Sequence, residues 1–229
     1  MPAFAGFDTA IYPGDAAIKY LIQNTNLVWC GYYLAPAPSH PGTTWMGKRT
    51  TLQQLGYGLA PVYVGQQVTG PGSKSPSAEQ GPIDGANAAA LMASEGFAPG
   101  SFVYLDIENG PPLTQPQQDY IKTWSAAVAA GGFGPGIYCS HQLAAEVHNL
   151  VPQARLWVFN VTTTTAHMVP NPCPNPHPAL SGYLAAYAWQ LGQNCIVATA
   201  AGAKLTVDLD SAITADPGAP DVVETHCGN

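Results

Sequence analysis

Charge is what this sequence has least of. Only 9% of its 229 residues are Asp, Glu, Lys or Arg, and the seven basic ones (Lys19, Lys48, Arg49, Lys74, Lys122, Arg155 and Lys204) are scattered. With a formal net charge of -7 and no cluster of Lys and Arg, the chain cannot neutralise a phosphate backbone, which excludes nucleic acid as a partner. Long apolar runs are missing too. No stretch approaches the roughly 18 consecutive apolar residues of a membrane span, so none is expected. The five cysteines form no CxxC pair and stand at no zinc-type spacing from histidine, so neither a metal nor any other cofactor is expected. No GxSxG elbow is present, which disfavours a Ser-His-Asp hydrolase.

What the chain does have is a hydrophobic content of 46%, enough for a large packed core. Its length suits one domain over residues 1–229, and a monomer is the simplest expectation. Cys173, Cys195 and Cys227 fall in loop-like or terminal sequence, where disulfides are plausible in an oxidising compartment. Together with the low charge and abundant Thr, Pro and Gly, they point to a secreted or cell-envelope protein whose leader has been removed.

Short apolar runs ending in a polar residue recur along the chain. The pattern predicts strands at Phe4–Asp8, Val28–Tyr33, Leu59–Val64, Phe102–Glu108, Gly136–Cys139, Leu156–Val161, Tyr187–Leu191 and Leu205–Asp210. Helical spacing lies between them at Asp15–Gln23, Ala86–Glu95, Thr114–Ala130 and Gln142–Leu150, the third opening with Thr114 and Gln117 in the order of a capping box. Strands alternating with helices imply parallel pairing, and eight such units predict an α/β fold, a single compact (β/α)8 TIM-type barrel. Two segments are irregular. The Pro- and Asn-rich stretch after strand six predicts a long loop over one end of the barrel, and the stretch after strand seven predicts a hairpin turning at Gly202. A doubly wound open sheet is the alternative, but "DTAIYPGD" is not the Gly-rich turn that such a sheet carries after its first strand.

In a barrel, side chains at strand ends converge on one mouth. Five acids occupy such positions: Asp8, Asp106, Glu108, Asp208 and Asp210. Alternation along a strand puts Asp106 and Glu108 on the face opposite Val103, Leu105 and Ile107, and Asp208 and Asp210 opposite Val207 and Leu209, so all should point inward. Asp8, opposite Phe7, should do the same. Crowded carboxylates raise the pKa of at least one of them, and a protonated acid beside an ionised one is the equipment for glycosidic cleavage. Tyr33, Tyr63, Gln66, Tyr138, His141, Trp189 and Gln190 fall at or near strand ends and supply the aromatic faces and amides that bind sugar rings. Against this stand plainer roles: Asp8 and Asp210 as helix caps, Asp208 as a deeper acid that only orients others, and Tyr120, Trp124 and Trp157 as core.

"GFDTAIYPGD", "VYLDIENG", "PGIYCS", "YAWQLG" and "VDLDSA" resemble, in order, the pattern of family 25 glycoside hydrolases, the lysozyme-type muramidases. More closely, the chain resembles the secreted glycoside-hydrolase-like domain of unknown function described from mycobacteria and their relatives. The resemblance implies Glu108 as general acid and Asp106 as the partner that orients substrate or stabilises charge, with Asp8 and Asp210 as flanking acids. A substrate acetamido group could assist, which would relieve Asp106 of acting as nucleophile. Chitinase-like barrels also end strand four in D-x-E, but their further upstream acids are replaced here by Phe102 and Tyr104. The expected partner is thus a polysaccharide or amino-sugar oligomer, cleaved or, on a catalytically weak or inactive version of the fold, only bound.

Overall fold

A computed structural model describes residues 3–68, 74–162 and 164–221. Nine strands alternate with five α-helices among these residues: β1 (Phe4–Asp8), α1 (Asp15–Asn24), β2 (Leu27–Tyr33), α2 (Arg49–Leu55), β3 (Gly58–Tyr63), α3 (Gln80–Ser94), β4 (Phe102–Ile107), α4 (Gln115–Ala130), β5 (Gly134–Ser140), α5 (Ala144–Leu150), β6 (Arg155–Phe159), β7 (His167–Met168), β8 (Ala188–Ala198) and β9 (Lys204–Ala212). Strands β1 to β6 run in order, β6 pairs with β8, β8 with β9, and β9 with β1, so eight strands close a TIM-type barrel. The two-residue β7 adds to the outer edge of β8. The expected barrel is therefore present, and the capping box of Thr114 and Gln117 opens α4 as the sequence predicts.

One strand departs from the parallel scheme. The segment after β8 turns through a short 3-10 helix at Ala200–Gly202 and returns, so β9 is antiparallel to both β8 and β1. Gly6 lies opposite Asp210, and Asp8 opposite Asp208. Both acids still face inward, but their depths are the reverse of the sequence expectation. Asp208 sits at the rim beside Asp8, and Asp210 lies one layer below. Beyond the rim, β8 and β9 continue as a two-stranded ribbon from Cys195 and Val207 to Ala198 and Lys204. The sequence reading had no helix for Arg49–Leu55 and no strand for β7, both too short to show a period.

Two apolar layers hold the barrel. Between strands and helices lies the larger one, with Phe7, Cys30, Leu59, Tyr63, Leu105, Tyr120, Trp124, Ile137 and Val158. Inside the strands, Trp29, Ala60, Val62, Phe102, Tyr104, Trp157, Ala188 and Ala212 fill the lumen. Three large rings fit there because glycines face them: a Cβ on Gly6 would stand 2.1 Å from Trp29, one on Gly136 would stand 2.6 Å from Tyr104, and one on Gly134 would stand 2.6 Å from Phe102. Trp157 packs edge-on against Trp29, Tyr104 and Tyr138, with centroids 5.4–5.7 Å apart.

The segment after β9 seals the far end of the lumen. Tyr104 Oη and the buried Arg155 guanidinium donate to the Pro217 carbonyl, each at 2.9 Å, and Arg155 also donates to Ala219 and pairs with Asp221. Arg155 lies over the Phe102 ring at 3.6 Å and the Tyr187 ring at 4.3 Å. The opposite mouth lies at the carboxyl ends of β1 to β6. Cys30, Cys139, Cys173 and Cys195 are buried free thiols, and Cys227 lies outside the described residues.

Candidate functional site

The open mouth holds two adjoining compartments. The inner one, about 60 Å³, is lined by Asp8, Tyr33, Val62, Asp106, Glu108, Tyr138, Trp157, Gln190, Gln193 and Asp208. An outer cleft of about 450 Å³ is lined by Ser140, His141, Gln142, Phe159, Asn160, Val161 and Thr164, and shares Glu108, Tyr138 and Gln193 with the inner one. Four of the five expected acids thus line the inner compartment. Asp210, fully buried, lies directly beneath them.

Each acid is held differently. Asp8 is buried, with one oxygen accepting the Tyr33 hydroxyl at 2.6 Å, and Gly31 on β2 leaves it room, since a Cβ there would come within 2.8 Å of the Asp8 Cβ. Neither Asp8 nor Asp210 caps a helix; α1 begins after Gly14. Asp210 Oδ1 accepts the Trp157 indole N–H at 3.0 Å, whereas its buried Oδ2 has no donor. That oxygen can carry a proton and give it to Asp8. Asp208 accepts on both oxygens, from the Gln190 amide at 2.7 Å and the Asn194 backbone N–H at 2.9 Å. Asp106 Oδ1 is buried without a donor, and Glu108, just past the end of β4, is exposed.

Burial raises the carboxyl pKa values of Asp8, Asp106, Asp208 and Asp210, and mutual repulsion adds to the shift for Asp8, Asp106 and Asp210. Burial is the largest cause for each. Asp106 is pushed well above the ordinary carboxylate range by burial, then by Glu108 and Asp8; Asp210 likewise by burial, then by Asp8 and Asp208. Asp8 is raised by burial and Asp208, against the lowering pull of Tyr33. Asp208 is also raised by burial, but the Asn194 and Gln190 donors oppose the shift. Protons in such a set belong to the cluster rather than to one residue.

Of the expected sugar contacts, Tyr33, Tyr138 and Gln190 line the inner compartment and His141 the outer one. The Tyr138 hydroxyl donates to Gln190 Oε1, which fixes the amide so that its nitrogen serves Asp208. Three others lie elsewhere. Tyr63 is on the outer face of β3, between inward Val62 and Val64, where it donates to Asn87 and packs on Trp124. Gln66 is buried against α3 and α4, its amide giving to Asp84 and its backbone N–H to the Tyr120 hydroxyl. Trp189 alternates outward from Gln190, and its indole N–H donates to the Asn160 carbonyl. Proximity to a strand end suggested these three; parity sends Tyr63 and Trp189 the other way.

Trp157 moves in the opposite direction. Expected as core, it is both core and cavity wall, and it anchors Asp210. Inward parity on β6 carries the signal that marks it. Gln193 and Asn160 are further lining residues that strand ends at Leu191 and Val161 did not single out. Among the described residues, no group of three or more His, Cys, Asp or Glu side chains is arranged to hold a metal ion.

Comparison with solved structures shows the same fold in an uncharacterised Bacillus stearothermophilus protein (TM-score 0.61, 17% identity, covering 91% of this chain and 95% of that one). It also appears in the Tat-secreted protein Rv2525c of Mycobacterium tuberculosis (0.60, 13%, 95% and 98%). A bacterial lysozyme from Streptomyces coelicolor is similar as well (0.59, 15%, 93% and 94%). No curated protein matches in sequence. A family model described as the Rv2525c-like, glycoside hydrolase-like domain matches residues 21–208, a span that contains Asp106, Glu108 and Asp208. The chain belongs to the Rv2525c-like glycoside hydrolase-like domain family.

Proposed function

We propose that this barrel hydrolyses glycosidic bonds in an amino-sugar polymer of the cell wall, with peptidoglycan as the model substrate. Glu108 delivers the proton to the leaving oxygen. The observation that carries the reading is its position, on the boundary between the acid-lined inner compartment and a cleft large enough for sugar rings. Asp106, whose carboxyl is pushed well above the ordinary carboxylate range by burial and then by Glu108 and Asp8, lines the same compartment beside Glu108. Asp8 and Asp208 face the carbon that gains positive charge. Tyr138 and Phe159 offer ring faces to a pyranose, and Asn160, Gln142 and His141 offer polar edges. The structural likeness to a lysozyme and to a Tat-secreted protein supports the cell-wall substrate and an extracellular or envelope location.

The test is the release of reducing sugar from peptidoglycan, chitin oligomers and plain glucans. Glu108→Gln is expected to lower kcat about 10²- to 10⁴-fold, the usual contribution of a general acid. Full activity in that variant overturns the assignment.

A second reading is a glycan-binding module without turnover. The inner compartment favours it, because about 60 Å³ holds a few waters but not a pyranose ring. Binding measured by calorimetry with no product from any substrate decides for this reading.

A further inference from the structure

On β8, Ala188 faces the lumen and Gln190 the inner compartment, so regular alternation would point residue 192 inward and residue 193 out. The structure does the reverse. Between Gln190 and Cys195 the pairing with β9 slips twice, and each slip inserts a residue on β8. Gly192 consequently faces the outer core, where a Cβ would stand 2.7 Å from Cys195 Sγ and 3.6 Å from Leu209, and Gln193 turns into the mouth.

Asn194 fixes the irregularity. It has a left-handed backbone, φ 53°, an uncommon state for a residue with a side chain. Its backbone N–H is given to Asp208 at 2.9 Å and its side-chain amide to the Thr164 carbonyl at 2.7 Å. One residue therefore ties the acid cluster to the lip of the outer cleft. Bulges next to active sites commonly re-aim a side chain, and the one re-aimed here is Gln193. It lines both compartments, and its amide has no partner among the described residues.

We infer that Gln193 is the specificity-determining residue of this site, reading the acetamido group of a sugar that spans the two compartments. The inference rests on the amino-sugar reading above. A primary amide offers one acceptor and two donors, which pair with the N–H and C=O of an acetamido group. Among the described residues neither compartment is lined by Lys or Arg, and four carboxyl groups line the inner one, so the ligand group that Gln193 meets is neutral rather than anionic.

The test is calorimetric binding of N-acetylglucosamine tetramer, glucosamine tetramer and cellotetraose to the Glu108→Gln protein, which prevents turnover, with and without Gln193→Ala or Gln193→Met. Met keeps the shape and removes the amide. Both substitutions are expected to weaken the N-acetylated tetramer roughly three- to ten-fold, the effect of losing one or two hydrogen bonds, and to change the other two glycans less than about two-fold. Equal weakening of all three glycans, or wild-type binding by Gln193→Met, overturns the role of the amide while leaving the amino-sugar reading intact. Failure of the parent protein to bind any of the three overturns that reading, and this inference falls with it.

Discussion

Asp210 accepts the Trp157 indole N–H on one oxygen and keeps the other, without a donor, within reach of the Asp8 carboxyl. Two buried acids in contact can share a proton but cannot both ionise cheaply, which makes this pair a source of pH-dependent stability.

The sign follows from linkage. A carboxyl whose pKa is raised on folding binds protons that the unfolded chain has already released, so its contribution is complete below about pH 3.9 and fades as pH rises. For Asp8 the folded value is pushed up to about 7, chiefly by burial, and Asp106 and Asp210 are also displaced upward. The exposed Asp15 and the half-buried Asp119, held low by Tyr12 and Lys122, act in the opposite sense, but only at pH values below the ordinary carboxylate range. Urea midpoints should therefore decline from pH 4.5 to pH 7.5, with a slope of at most about 1.4 kcal/mol per pH unit for each proton involved. Asp210→Asn keeps an acceptor for Trp157 and a donor for Asp8, and is expected to flatten the decline. A steeper slope in that variant contradicts the shared proton.

Gly6 sits on the inner face of β1, where a Cβ would stand 2.1 Å from Trp29 Cε2. The ring is fully buried and cannot retreat without displacing Trp157, whose centroid is 5.5 Å away. Gly6→Ala should cost about 1–3 kcal/mol, the usual penalty for overpacking, measured by urea denaturation. No loss would mean that the lumen yields more readily than its packing indicates.

Strand parity was legible in the sequence because alternation needs only residue order. It placed Asp8, Asp106, Glu108, Asp208 and Asp210 on inner faces without any knowledge of neighbours. Strand direction has no such signature, since a period of two reads the same both ways, so the depth order of Asp208 and Asp210 came out reversed. The hairpin after β8 held the missing clue, because a hairpin turns the chain around. Gln193 was out of reach for another reason: a bulge breaks the period, and what stabilises it here is the Asn194 contact with Asp208, fourteen residues away.

Arg155 at the closed end should resist even conservative replacement. Its guanidinium serves two backbone carbonyls and Asp221 while lying flat between the Phe102 and Tyr187 rings. An ammonium has neither the fork nor the planar face for that arrangement. Arg155→Lys is therefore expected to cost about 1.5–3 kcal/mol in urea denaturation, the range for hydrogen bonds to a charged group. A variant as stable as the parent would mean that the C-terminal segment is held by its backbone contacts alone.

Tyr33 offers a way to move one acid without touching a carboxylate. Its hydroxyl donates to Asp8 at 2.6 Å, and this bond favours the ionised form against burial and the Asp208 charge. Tyr33→Phe removes the donor and leaves the ring beside His40, whose centroid is 5.2 Å away. The Asp8 pKa should rise further, so the decline of stability should extend to higher pH than in the parent. Carboxyl 13C chemical shifts followed across pH 4–9 would report the change at Asp8 directly. The same experiment probes the cluster, because an added proton on Asp8 removes a negative charge facing Asp106 and Asp210, whose titrations should then move downward. If Asp8 moves alone, the acids are neighbours without being a coupled set, and proton sharing between the floor and the rim of the site is ruled out.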